Sequence, residues 1–288
     1  MATRSAGAVA ACLLLASCSG ALFGALNVGA GADDAPADQS VLFDPAHGLS
    51  LDVHRPVATQ DAAPLVVFFY GGSWQNGSRA RYAFAGRALA ARGVVAVVPD
   101  YRLYPVAGFP DFMHDAARAV AWAHANARAL GADPARIFLM GHSAGAQIAA
   151  LLATDPRYLQ AHGLAPSSLA GVIGVSGPYD VRPEGYPELE ALFGPREEWP
   201  QARPVNFVDR SDPPFLLLHG ADDGTVWPSH SELMAQRLRE AGVPVRVVLY
   251  PGAGHVRPLL AMRFPRLEPV MDDTMAFIGA TPQPAAAR

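Results

Sequence analysis

Ile137-Phe138-Leu139-Met140-Gly141-His142-Ser143-Ala144-Gly145 is the stretch from which the rest of the chain is read. An apolar run ends at Gly141, a serine follows two residues later, and a helical pattern starts at Ala144. Gly-x-Ser-x-Gly alone is a weak pattern. Between a strand and a helix it places the serine on a sharp turn, with the hydroxyl projecting at the end of a sheet. The flanking glycines leave room for neighbouring backbone. Ser143 is therefore the candidate nucleophile, and His142 beside it is read as structural.

The alternation of strand and helix continues on both sides. Short apolar runs occur at 65–70, 94–98, 136–140, 172–175, 215–218 and 245–250, and helical patterns at 82–92, 111–130, 144–153 and 229–241. Early acidic residues at Asp111 and Asp115 favour a helix N-terminus, Gly131 closes that helix, and Asp133-Pro134 is expected to turn into the next strand. This order predicts an α/β fold with a mostly parallel sheet, helices on both faces and right-handed crossovers. One segment breaks the rhythm. From Pro178 to Pro214 there are eight prolines, with Tyr179, Tyr186, Phe193, Trp199 and Phe207 among them. That aromatic content predicts an ordered flap.

A serine nucleophile needs a base, and the base needs an orienting acid. His162, His219, His230 and His255 follow Ser143. His255 lies in Gly252-Ala253-Gly254-His255, just past the strand ending at Tyr250, where ligands meet an open parallel sheet. His230 opens a helix and His162 sits in a turn, so both are expected to face solvent. His219 ends a strand in His219-Gly220-Ala221-Asp222-Asp223, which also carries two candidate acids, Asp222 and Asp223. The remaining requirement is a set of backbone N–H groups for a developing oxyanion. Tyr70-Gly71-Gly72-Ser73-Trp74, directly after a strand, supplies such a turn.

Composition narrows the field. With 288 residues, 51% hydrophobic and 17% charged, the chain has enough apolar material for one large core. A net charge of -4 leaves no basic excess for a phosphate backbone, so nucleic acid is excluded as an expected partner. All 22 basic residues are arginine. A lysine Schiff base, a P-loop lysine and a kinase-type lysine are therefore ruled out. The two cysteines are Cys12 and Cys18, so nothing after Cys18 offers a thiolate nucleophile, a disulfide or a cysteine metal site.

Taken together, Tyr70 to Trp74, Asp100-Tyr101-Arg102-Leu103-Tyr104-Pro105, Phe109-Pro110-Asp111-Phe112, Gly141 to Gly145, His219 to Asp223 and Gly254-His255 resemble the α/β-hydrolase superfamily. Within it the chain is similar to carboxylesterases of the hormone-sensitive-lipase-like and isoprenylcysteine-methylesterase-like groups, from about Leu51 to Ile278. The resemblance implies a serine hydrolase that cleaves short- to medium-chain carboxylic esters through an acyl-enzyme, with no cofactor and no metal. Its His-Gly-x-x-Asp pattern selects Asp223 over Asp222, giving Ser143, Asp223 and His255 as the triad. Its oxyanion motif assigns the donors to the N–H groups of Gly72, Ser73 and Ala144. Tyr70 stands where that motif has histidine, which bears on the geometry of the hole without excluding activity. Asp100 and Arg102 match a structural loop. Tyr70, Trp74 and Tyr179 are expected to wall an apolar substrate pocket. Related formamidases share a His-Gly-Gly-x-Trp motif, so an arylformamidase is the nearest alternative. A non-catalytic surface lipoprotein on the same scaffold is the alternative from another class.

The N-terminus reads as an address. Arg4 followed by the apolar stretch 6–16 fits a secretory signal and is too short to span a bilayer. Leu15-Ala16-Ser17-Cys18 resembles the bacterial lipobox, which implies lipidation of Cys18 and, with Ser19 following, an outer-membrane position facing the periplasm. The expected organisation is a signal over 1–17, a lipidated tether over 18–40 and a single catalytic domain over 41–288.

Overall fold

A computed structural model describes residues 26–27, 39–57 and 62–281. Its frame is one eight-stranded sheet in the order β1-β2-β4-β3-β5-β6-β7-β8. The strands are β1 (Gln39–Asp44), β2 (Leu49–His54), β3 (Ala63–Phe69), β4 (Val95–Pro99), β5 (Ala132–His142), β6 (Gly171–Val175), β7 (Phe215–Gly220) and β8 (Val245–Tyr250). β1 pairs antiparallel with β2, and β2 antiparallel with β4; every pairing from β4 to β8 is parallel.

Burial explains the patterns. β4, β6 and β7 are buried at every residue, as parallel strands covered on both faces must be, and they read as unbroken apolar runs. The edge strands β1 and β8 instead mix exposed and buried positions. Within residues 62–281 eight α-helices accompany them: α1 (Ala83–Ala90), α2 (Asp111–Asn126), α3 (Ala144–Thr154), α4 (Pro156–Gln160), α5 (Pro187–Phe193), α6 (Ser229–Glu240), α7 (Arg257–Ala261) and α8 (Val270–Ala280). α3 is buried on all sides, from Ala144 to Thr154. Its small residues let it lie close against β5 and β6.

Several expectations need adjustment. The helix expected over 111–130 ends at Asn126, and a 3-10 turn, Arg128–Leu130, completes the run before Gly131 at φ 80° stops it. Asp133-Pro134 lies inside β5, not in a turn before it; the Asp133 carboxylate accepts the Ala135 N–H at 2.9 Å. β1, β2, α4, α7 and α8 were not distinguishable in the sequence because they are short, or polar on one side.

The Pro-rich segment is ordered. It holds α5 and two 3-10 turns, Arg196–Ala202 and Pro204–Asn206. Phe193 is fully buried, and the Phe109 N–H donates to Leu192 O at 2.9 Å. Asp115, in the first half of α2, takes Arg102 at 2.8 Å and also pairs with Arg118, which reaches Asp44 of β1 at 2.7 Å. Asp44, His47 and Asp115 lie close enough to share a cation, but these two guanidiniums already supply the positive charge there. Asp100 pairs with Arg79.

The expected signal over 1–17, with Cys12, and the expected lipidation site Cys18 lie outside the described residues. Within the stretch expected as a tether, Leu26 is buried, Asn27 donates to Arg81 O at 3.0 Å, and β1 starts at Gln39, so the folded body begins earlier than residue 41. Among the described residues no helix is long and apolar enough to cross a membrane.

Candidate active site

Because β3, β5, β7 and β8 run parallel, their C-terminal ends lie at one edge of the sheet, where the loops after them meet. Ser143 follows β5 directly and adopts φ 54°, ψ −122°, a left-handed conformation costly for a residue with a side chain. The glycines on either side are obligatory. A Cβ on Gly141 would come 2.2 Å from Gly145 O, and one on Gly145 would come 2.1 Å from Phe69 O. The turn is pinned by the Ser143 N–H donating to Val175 O at 2.8 Å.

His255, in the loop between β8 and α7, places Nε2 3.0 Å from Ser143 Oγ and Nδ1 2.7 Å from Asp223 Oδ2. Asp223, in the loop after β7, is buried, and its other oxygen accepts the N–H groups of Thr225 and Val226, each at 2.9 Å. Burial works to raise the Asp223 pKa, but hydrogen bonds from His219 and His255 outweigh it and hold the carboxyl well below the usual carboxylate range. A permanently ionised acid is what an imidazole base requires behind it. Asp222 is exposed and does not reach His255.

The loop after β3 turns tightly, with Ser73 at φ 55° and Trp74 at φ 58°. Gly72 O accepts the N–H groups of both Gln75 and Asn76. Among the described residues the N–H groups of Gly72 and Ser73 make no backbone hydrogen bond. Ala144 is the first residue of α3, so its N–H has no partner within the helix. These are the three donors expected for an oxyanion.

The expected pocket wall is packed differently. Tyr70 and Tyr179 are core residues at 1% and 0% exposure, and Trp74 is 4% exposed. Tyr70 stacks on Tyr101 with ring centroids 4.5 Å apart, and the Tyr101 hydroxyl donates to Tyr70 O at 2.9 Å. Thus the tyrosine in place of a histidine supports the turn from beneath. Trp74 meets Phe193 of the flap edge-on, and its indole N–H donates to Gln147 Oε1 at 3.1 Å. The side chains of Tyr70 and Tyr179 belong to the core and do not form an open wall.

His162 is exposed, as expected. His230 is not: it is half-buried, and its Nδ1 accepts the Asp180 N–H at 3.2 Å. His142 is buried, and its Nε2 lies 3.2 Å from His255 O, tying the serine turn to the histidine loop. Two supporting side chains were missed in the sequence. Gln147 on α3 bridges Trp74 and, at 2.8 Å, Ala202 O of the flap. His219, at the buried end of β7, presents its Nε2 to two acceptors, Val226 O at 2.9 Å and the Asp223 carboxylate at 3.2 Å. The first had a signal in its spacing, one helical turn after Ser143.

Comparison with known proteins gives the same picture. The BD-FAE family model matches residues 51–238, well over half of the chain. Esterase LipC of Mycobacterium tuberculosis is 35% identical over 237 residues, covering 75% of this chain and 58% of that protein. A probable isoprenylcysteine alpha-carbonyl methylesterase of Oryza sativa is 29% identical over 238 residues, covering 75% and 57%. The chain thus spans less than three fifths of the length of these relatives. A propionate-bound thermophilic esterase of Thermogutta terrifontis superposes with a TM-score of 0.73 at 25% identity, covering 88% of this chain and 97% of that one. The chain belongs to the BD-FAE family, and its fold is that of the α/β-hydrolase esterases.

Proposed function

We propose that this protein is a carboxylesterase acting through Ser143, His255 and Asp223. The observation that carries the reading is the unbroken hydrogen-bonded chain from Ser143 Oγ through His255 to the ionised Asp223, at 3.0 and 2.7 Å. Ser143 Oγ adds to the ester carbonyl carbon while His255 Nε2 takes its proton. The carbonyl oxygen becomes an oxyanion held by the N–H groups of Gly72, Ser73 and Ala144. Collapse breaks the bond to the alcohol, which leaves with the proton from His255. Water then adds to the acyl-serine by the same route and releases the acid.

The substrates are esters of short- to medium-chain acids. A related esterase was captured with propionate, which supports this reading. The test is hydrolysis of p-nitrophenyl esters from acetate to palmitate by a soluble protein starting after Cys18. Turnover is expected to peak at short chains and to fall by roughly a thousandfold or more in Ser143→Ala. Equal turnover in wild type and Ser143→Ala would overturn the assignment.

Cys18 is the proposed lipid anchor, holding the enzyme at the outer membrane on its periplasmic side. The reading rests on Leu15-Ala16-Ser17-Cys18 directly after an apolar segment. Labelled palmitate is expected in the full chain and not in Cys18→Ala. A wild-type chain without label would contradict it.

A further inference from the structure

The Asp223 carboxylate serves two histidines, and only one of them is explained by the triad. His219 Nε2 lies 3.2 Å from Asp223 Oδ2, the same oxygen that takes His255 Nδ1 at 2.7 Å. His219 Nε2 also lies 2.9 Å from Val226 O. Facing two acceptors and no donor, that nitrogen carries a proton. On the other side of the ring, Nδ1 lies 2.7 Å from the Ser231 hydroxyl on α6. His219 and Ser231 are both fully buried.

We propose that His219, held by Ser231, is a positioning residue that fixes the Asp223 carboxylate and moderates its pull on His255. This rests on the reading of Asp223 as the catalytic acid. The two histidines compete for one oxygen. Each donor on Oδ2 draws charge from it, so a second N–H there weakens the carboxylate as a partner for protonated His255. The second donor also fixes the carboxylate plane, whose other oxygen is already held by Thr225 and Val226. The other titratable groups around the pair are His142, whose ring lies 5.0 Å from His255, and His230 on α6 with Asp180 and Arg182 beyond it. None of these donates to Oδ2 among the described residues.

Two amide replacements separate the contacts of the ring. In His219→Gln the amide nitrogen occupies the position of Nε2 and keeps the donor on Asp223. In His219→Asn it occupies that of Nδ1 and loses that donor. Measured on p-nitrophenyl acetate, His219→Asn is expected to lower kcat at least roughly tenfold with KM little changed. Its kcat/KM profile should shift its acid limb to higher pH, because His255 then holds its proton more tightly. His219→Gln should recover most of the loss and return the limb toward the wild-type position. A simple packing role would depress both variants alike and leave the limb in place. A folded His219→Asn with wild-type kcat and limb, or a His219→Gln as impaired as His219→Asn, would overturn the proposal. If His219→Asn does not fold, Ser231→Ala takes its place. It should shift the limb the same way by a smaller amount, and an unshifted limb overturns the proposal. Turnover that survives in Ser143→Ala would instead overturn the triad reading itself, which the same assay reports separately.

Discussion

At the scale of single residues, the site depends on close approaches that tolerate no added atom. Gly71 shows this most directly. A Cβ there would lie 2.9 Å from both His142 Nδ1 and His142 O, and 3.1 Å from Ser143 Cβ. Gly71→Ala must therefore push the turn after β3 away from the nucleophile, in a region where the backbone on both sides is fixed. Displacing oxyanion donors typically costs a few kcal/mol in the transition state. Steady-state kinetics should show kcat reduced about a hundredfold in Gly71→Ala, with the thermal midpoint lowered only modestly.

His142 leads to a prediction about pH. Burial, reinforced by the nearby His255, lowers its pKa from 6.5 to about 3. Between those values the unfolded chain binds a proton that the folded chain does not. The contribution to stability is complete above pH 6.5 and is lost as pH falls toward 3. His142→Gln keeps a donor toward His255 O and removes the titration. Thermal unfolding at a series of pH values should show a shallower decline below pH 6.5 in that variant than in wild type. Asp223 acts in the same direction, but only below the ordinary carboxylate range, so the two contributions separate along the pH axis.

At the scale of elements, Gln147 joins three parts that the chain places far apart. It stands on α3 one turn after Ser143, takes the Trp74 indole N–H from the turn after β3, and donates to Ala202 O of the flap. All of these groups are buried. Gln147→Leu leaves a buried donor and a buried acceptor without partners, each worth about 1–3 kcal/mol. Denaturant unfolding should show a loss of about 2–4 kcal/mol. Because this contact ties the turn that carries Trp74, at φ 58° next to Ser73, to the helix that follows Ser143, kcat should fall as well, by about tenfold. A Gln147→Leu protein that is destabilised but catalytically normal would show that the tie serves folding alone.

The flap also shows how far sequence reading extends. Its aromatic residues signalled order, and Phe193 and Trp199 are indeed buried. The partners of those residues were not legible, because they depend on which helix faces lie across from it. The same distinction explains Tyr70, Trp74 and Tyr179. Their residue type fits a pocket wall or a core equally well; the stacking of Tyr70 on Tyr101, the contact of Trp74 with Phe193 and the full burial of Tyr179 decide in favour of the core.

At the scale of the molecule, the parallel set was readable from six apolar runs: the inner strands are buried and have no polar alternation to obscure them, and the edge strand β8 is interrupted only at Arg246. The antiparallel β1 and β2 were not, since an edge hairpin with exposed positions has no such run. Ser143 and His255 were legible because each follows a strand of the parallel set, and parallel strands bring their C-terminal ends together; Asp222 and Asp223 follow the same strand, and only the resemblance separated them. His219 was visible as a residue but not as a donor to Asp223, a relation created by the bend of the loop after β7. His230 misled for a similar reason: its helix start faces Asp180, not solvent.

The central claim is that His255 and Asp223 make Ser143 the nucleophile. The most direct measurement is covalent labelling with a fluorophosphonate, which phosphonylates an activated serine, followed by mass spectrometry of the digested protein. One equivalent of label is expected on the peptide bearing Ser143, none in Ser143→Ala, and labelling slowed by roughly a hundredfold or more in His255→Ala. Labelling on a different residue, or equal labelling in wild type and Ser143→Ala, would contradict it.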